Sequence, residues 1–323
     1  MHKNIVHALV AMCAVALASV AAGCGNPSAT SSSSANAPSG APAASAAPSA
    51  TATQTSAPHT PLGQFLSSGK PLFPHDRVVA YYGAAGVPAM GVLGSASPSG
   101  IAPRLLRQAR AYDRFGRPVI PAFELIAVIA QGAPGPGGTY HGVTDTATVR
   151  QYLTEARRIN ALLIIDIQPG RATFLPLVKH YESLLRESDV GLALDPEWEM
   201  TASQVPGHTI GGTTAAEVNG VGDYLAGLVR AHHLPQKLFA IHQFTLDMIA
   251  NRSAVRYHPE LATTFHVDGF GGRSIKLIKY HAISTHDPHF HNGFKLFYTQ
   301  DTDMLTPADA MKLRPQPDLL TYE

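Results

Sequence analysis

Cysteine is nearly absent from this chain. Of 323 residues only Cys13 and Cys24 are cysteine, and both lie at the N-terminus. Beyond them there can be no disulfide, no thiol nucleophile and no Cys-ligated zinc. Charge is scarce too: 15% of residues are charged and the formal net charge is +1. A chain so near neutrality is not built around nucleic acid or an acidic membrane surface. Tryptophan occurs once, as Trp198. No Gly-x-Gly-x-x-Gly follows the first candidate strand, which excludes a dinucleotide site of that kind. There is no Gly-x-Ser-x-Gly elbow. The first strand has no His-x-His pair, which argues against a metal-dependent hydrolase barrel. No cofactor is expected.

What is present begins with an export signal. Lys3 supplies a positive start, and Ile5 to Val20 is an apolar stretch of Ala, Val and Leu. Ala21-Ala22-Gly23-Cys24 then resembles a bacterial lipobox, with Ala21 where leucine is usual. That resemblance implies cleavage after residue 23, acylation of Cys24, and a mature protein held by lipid on the extracytoplasmic face of the membrane. Residues 24–61 continue as Ser, Ala, Pro and Thr without charged side chains, apart from the acylated cysteine a tether with no apolar face to bury. About 35 such residues span roughly 30–35 Å root-mean-square.

From residue 62 to 323 the composition is that of a folded domain, and its length suits one α/β barrel. Eight strands are predicted: Arg77–Tyr82, Val119–Ile126, Ala161–Ile167, Val190–Asp195, Lys237–Phe244, Ala262–Asp268, Phe294–Thr299 and Leu319–Tyr322. Helical spacing fills the gaps at Ile101–Arg114, Thr146–Ile159, Thr173–Arg186 and Thr214–His232. Shorter helices are expected at Leu246–Ala250, Ser274–Ile283 and Pro307–Leu313. Eight strands alternating with helices predict a (β/α)8 barrel of the triose-phosphate-isomerase type. An open doubly wound sheet is the alternative.

Barrels carry function at the C-terminal ends of their strands. Here those ends supply Tyr82, Glu124, Asp166, Asp195 with Glu197, His242 with Gln243, His266 with Asp268, and Gln300 with Asp301. The strand interiors are otherwise apolar, so a polar cleft is expected on that face. The densest stretch is Val190 to Met200, a short apolar run ending in Asp195, Glu197 and Glu199. If the extended chain persisted, these three acids would leave on one side.

Glycoside hydrolysis takes two carboxyl groups, one protonated and one ionised. Asp195 and Glu199 as like charges, and Trp198 as apolar cover, would hold a proton on Glu197. Glu124, Asp166, Asp268 and Asp301 are candidate partners. Tyr82, Trp198, Tyr298, His242, Gln243, His266 and Gln300 could contact a sugar. Asp195-Pro196-Glu197 resembles the Asp-x-Glu of family 25 glycoside hydrolases, the barrel lysozymes. Asp195-Pro196-Glu197-Trp198-Glu199 is also similar to the Asp-x-Asp-Trp-Glu of family 18 chitinase-like barrels. The first resemblance implies Glu197 as the acid, the second Glu199. The chain departs from family 18 at Leu192 and Glu197, where that pattern has Asp. It departs from family 25 at Val79-Ala80-Tyr81-Tyr82, where an Asp is expected. The function expected is hydrolysis, or binding without catalysis, of envelope polysaccharide or another glycan, with a metal-dependent hydrolase as the less favoured alternative.

Two further stretches carry possible chemistry. His286, His289 and His291, with Asp287, are weak candidates for a divalent metal, lacking strand or helix geometry to fix them. Gly269 to Ser274, with Arg273, resembles an anion-binding turn, but a tight strand-to-helix turn needing glycine is the simpler reading.

Overall fold

The computed structural model describes residues 60–323. The signal, Cys24 and nearly all of the tether lie outside the described residues. Among the described residues no helix is long and apolar enough to cross a membrane.

Eight parallel strands close into a barrel. They are β1 (Arg77–Gly83), β2 (Val119–Ala130), β4 (Leu162–Ile167), β5 (Val190–Leu194), β7 (Lys237–Gln243), β9 (Leu261–Val267), β10 (His291–Leu296) and β11 (Leu319–Tyr322). Each pairs with the next, and β1 pairs with both β2 and β11, which shuts the ring. A short strand β3 (His141–Val143) runs antiparallel to the extended end of β2. Strands β6 (Thr213–Thr214) and β8 (Ile249–Ala250) form a separate two-stranded pair.

Helices Pro98–Arg110, Thr146–Arg158, Phe174–His180, Glu182–Leu185, Ala215–Ala231 and Arg273–Ile283 surround the ring. Their apolar faces pack with the outward strand residues into one large core. Local signals set their ends. Ser97, Asp145 and Thr214 each accept a backbone N–H at a helix start, and Thr306 forms a full capping box with Asp309. Glu217 does not complete the box at Thr214; its carboxylate accepts from Phe174 N at 2.8 Å instead.

Three expectations change. The segment Leu246–Ala250 is not helical but ends in β8, so a 3-10 turn at Arg252–Ala254 is the only helical element between β7 and β9. The helix expected over Thr173–Arg186 is broken at Tyr181, whose hydroxyl donates to Ala127 O and Thr144 O. Strand β10 starts at His291, three residues earlier than the apolar run suggested.

The barrel interior is layered. Val78, Ala80, Ile120, Ala122, Leu162, Ile164, Ala193, Leu238, Ala240, Ala262 and Leu319 fill its lower part. Leu62 and Phe65 of the helix Pro61–Ser68, with Leu72 and Phe73, join this cluster and plug the N-terminal end. With the floor sealed by hydrocarbon, the polar inward residues are left to the C-terminal end.

Candidate active site at the C-terminal mouth

Strand alternation builds the site. Above the apolar layer every strand presents an inward polar side chain: Tyr82, Glu124, Asp166, Asp195, His242, His266, Lys295 and Thr321. None of the eight is more than 3% exposed. Asp268 lies one step higher, also buried.

These groups are joined by hydrogen bonds. His242 Nδ1 is 2.7 Å from Asp268 Oδ2, and His242 Nε2 is 2.9 Å from Glu124 Oε1. Thr321 donates to Glu124 Oε2 at 2.8 Å. Tyr82 donates to Asp195 Oδ2 at 3.1 Å and accepts from Gln168 at 3.1 Å. Lys295 Nζ lies 3.3 Å from Asp268 Oδ2 and 2.8 Å from Glu323 Oε2. Its ammonium also sits 3.4 Å from the centre of the Tyr82 ring. Buried charges persist only when paired in this way.

The pairing sets protonation. Burial alone would lower His242, but its bonds to Asp268 and Glu124 outweigh that and hold it charged, well above its ordinary value. Burial would raise Glu124, yet the His242 bond and charge hold it down at about 2. Burial likewise opposes ionisation of Asp268, but Lys295 and His242 win and keep it far below the usual range. Asp166 goes the other way: burial, then the charge of Asp195, push it well up. Burial also raises Asp195. His266 is pushed down to about 3 by burial and by the neighbouring charge of His242.

Above this layer lies a more open rim. Strand β5 ends at Leu194, and Pro196–Trp198 forms a 3-10 turn. Glu197, Trp198 and Glu323 are each partly exposed there. Burial, followed by the charges of Asp195 and Asp268, lifts Glu197 well above the ordinary carboxyl value. The segment is fixed by the following loop: Gly211 N donates to Glu197 O at 2.6 Å and Gly212 N to Glu199 O at 3.3 Å. Gly211 is required there, because a Cβ would lie 2.2 Å from Glu199 O.

The turn overturns the idea that the three acids share a side. Once the chain leaves extended geometry at Asp195, the two-residue alternation ends. Glu199 faces Glu217, and burial together with that contact lifts it to about 8. Several other candidates also lie away from the mouth. Tyr298 stacks on Tyr322 and hydrogen-bonds Tyr81 and Gln108, on the helix side of the barrel. Asp301 accepts from the backbone of Gly271 and Phe297 and pairs with Lys276, so it braces the loops. Gln300 accepts from Thr299 in the same loop. Gln243 is buried, with its amide donating to Thr245 O. The histidine loop sits at the opposite, N-terminal end. His289 bonds Asp287, His291 bonds Asp318, and His286 is exposed, so the loop does not converge on one point. Arg273 pairs with Asp309 and Asp303, and the Gly269–Ser274 segment is a strand-to-helix turn.

Lys295, Thr321 and Glu323 complete the site and were not among the sequence candidates. A signal existed for one of them. Lys295 stands between Phe294 and Leu296, and a lysine inside an apolar strand run is a buried cation in need of partners.

No protein-family model matches the chain. No curated protein matches it either. Among solved structures, it is similar to a GH18 chitinase from Pseudoalteromonas aurantia. The TM-score is 0.41 at 12% identity, over 76% of this chain and 93% of that one. Likeness at this level says nothing of catalysis, and the barrel is established by its own strand pairing.

Proposed function

We propose that the protein is a lipid-anchored, extracytoplasmic barrel that binds envelope polysaccharide and hydrolyses glycosidic bonds at its C-terminal rim. One arrangement carries the reading. Two carboxyls, Glu197 and Glu323, stand partly exposed over a buried charged layer, and their environments differ in sign. Glu197 is kept protonated by burial and by Asp195. Glu323 is paired with the Lys295 ammonium. Glycoside hydrolysis needs a proton donor and a second carboxyl, and these two rim groups fill those places. Glu197 gives its proton to the glycosidic oxygen as the bond to the anomeric carbon breaks. Glu323 takes a proton from the attacking water, whose hydroxyl joins that carbon. Trp198, beside the acid, offers an aromatic face for a sugar ring.

A second reading has its own support. Asp166, Asp195 and Asp268 are too buried for a sugar to touch, so most of the charge in the mouth would serve a non-catalytic binding protein equally well. The two readings separate on one assay. The full-length protein is incubated with envelope polysaccharides, and new reducing ends are measured alongside retention on the same glycans. Cleavage lost in both Glu197→Gln and Glu323→Gln supports hydrolysis; retention without cleavage in the wild type supports binding alone. The anchor is tested by Cys24→Ser, which should move the protein from the detergent phase to the aqueous phase.

A further inference from the structure

Within the inward layer, the hydrogen-bond network leaves two side chains wholly without partners. Neither ring nitrogen of His266 has a hydrogen-bond partner, and neither carboxylate oxygen of Asp166 has one. Both residues are 0% exposed. An unpaired buried polar atom costs free energy, and an unpaired carboxylate costs most. Both groups border His242. The His266 and His242 rings lie 4.7 Å apart between centroids, and Asp166 Oδ2 is 3.7 Å from His242 Nε2. One donor atom each from Glu124, His242 and His266 falls within 4.8 Å of the other two.

We propose that Glu124, His242 and His266 bind a divalent first-row transition metal ion inside the barrel, beside the carboxyl of Asp166. Two imidazoles and carboxylate oxygens are a donor set suited to zinc and its neighbours rather than to magnesium or calcium. The surroundings match what such ligands need. A ligating histidine normally gives its other N–H to a carboxylate, and a ligating carboxylate is itself hydrogen-bonded. His242 Nδ1 meets Asp268, and Glu124 Oε2 accepts from Thr321. Room for His266 is provided by Gly293, where a Cβ would come 2.0 Å from His266 Nδ1. The ion takes the place of the proton between His242 Nε2 and Glu124, offers His266 the partner that the protein withholds, and sets a positive charge near the unpaired carboxyl of Asp166. A structural ion pair would need only His242, Glu124 and Asp268, and would leave the other two unexplained. The site goes beyond the proposed glycan chemistry and does not depend on it.

The test uses the full-length, untagged protein, stripped with a chelator and titrated with Zn²⁺ alone by calorimetry. One ion per chain at a Kd of about 1 µM or tighter is expected, with Mg²⁺ failing to compete. His266→Gln should weaken binding at least about 100-fold, and Asp268→Asn by about 10–100-fold. His289→Gln, at the far end of the barrel, should leave the affinity unchanged. X-ray absorption of the Zn²⁺-loaded wild type covers the case in which a core variant fails to fold: it should report two imidazoles and carboxylate oxygen at about 2.0–2.2 Å. No stoichiometric binding by the wild type would overturn the site and leave buried water as the partner of Asp166 and His266. So would a zinc shell without imidazole, or binding that survives His266→Gln and is lost in His289→Gln.

Discussion

Lys295 holds its ammonium 3.4 Å from the centre of the Tyr82 ring, in the middle of the charged layer. From there it reaches Asp268 and Glu323 as well, and its charge bears on Asp195. It is the one lysine in this ring of inward side chains, and it is 3% exposed. The anions around it depend on it. Lys295→Met keeps most of the stem and removes the charge, leaving Asp268 buried beside other carboxyls. Removing one partner of a buried pair typically costs roughly 3–5 kcal/mol. The variant should therefore unfold at clearly lower urea concentration than wild type, at pH 7. A midpoint within error of wild type would mean that the layer is neutral as folded.

The sequence exposed the frame of the barrel more readily than its contents. Alternation puts Glu124 two places after the inward Ala122 and His242 two places after the inward Ala240, so both could be read directly. The failures have physical causes. Pro196 and the 3-10 turn stop the two-residue period, and nothing in Asp195-Pro196-Glu197-Trp198-Glu199 announces where it stops. Strand β10 opens with His291-Asn292-Gly293, residues that favour loops; the glycine is there because His266 fills the space a Cβ would need. An apolar run read from Phe294 puts Lys295 near the start of its strand, whereas in β10 it is the fifth residue. The helix Pro61–Ser68 plugs the floor through Leu62 and Phe65, with Leu66 packed beside them, a tertiary role that three large apolar residues in eight do not reveal.

Gly293 yields a prediction that follows from this packing. A methyl group there meets an imidazole at bonding distance, not contact distance, so either His266 swings away or β10 shifts. Overpacking of this kind costs typically 1–3 kcal/mol, which marks the rough scale of the loss. Gly293→Ala should lower the melting temperature, and Gly293→Ala combined with His266→Ala should recover much of it, since the second change vacates the space. Recovery is the informative outcome: two losses that simply add would mean that the clash is not with His266.

Glu199 should make stability depend on pH. Its folded value is about 8, above the ordinary carboxyl value, because burial and Glu217 disfavour the ion. Between that ordinary value and about pH 8, the unfolded chain releases this proton while the folded chain retains it. Stability then falls as pH rises through the window, by at most about 1.4 kcal/mol per pH unit from this group. Below the window the group contributes no slope. Glu199→Gln keeps a donor facing Glu217 but cannot ionise. Denaturation curves at pH 5 and pH 8 should show a smaller drop for the variant than for wild type. Equal drops would place the pH dependence elsewhere, with the acids of the barrel layer next to be tested.

Glu197 decides the catalytic reading. Its carboxyl is partly exposed at the rim, and burial with the charges of Asp195 and Asp268 keeps its proton on well above the usual range. A group in that state donates at neutral pH and loses the ability as it ionises, so turnover should decline on the alkaline side. Glu197→Gln preserves shape and hydrogen bonding but has no proton to give. Loss of a positioned acid costs typically 10²–10⁴-fold, so kcat on a cleaved glycan should fall by about that factor. Glycan affinity should change little, because the amide fills the same space. Asp195→Asn removes a like charge that raises Glu197, and so should shift the alkaline limb to lower pH while reducing kcat less. Measuring kcat and KM across pH for wild type and both variants separates the roles. If Glu197→Gln cleaves at the wild-type rate, Glu197 is not the acid and the rim is left with a binding role. If Asp195→Asn leaves the alkaline limb where it was, the proton on Glu197 is held by burial and Asp268 rather than by Asp195.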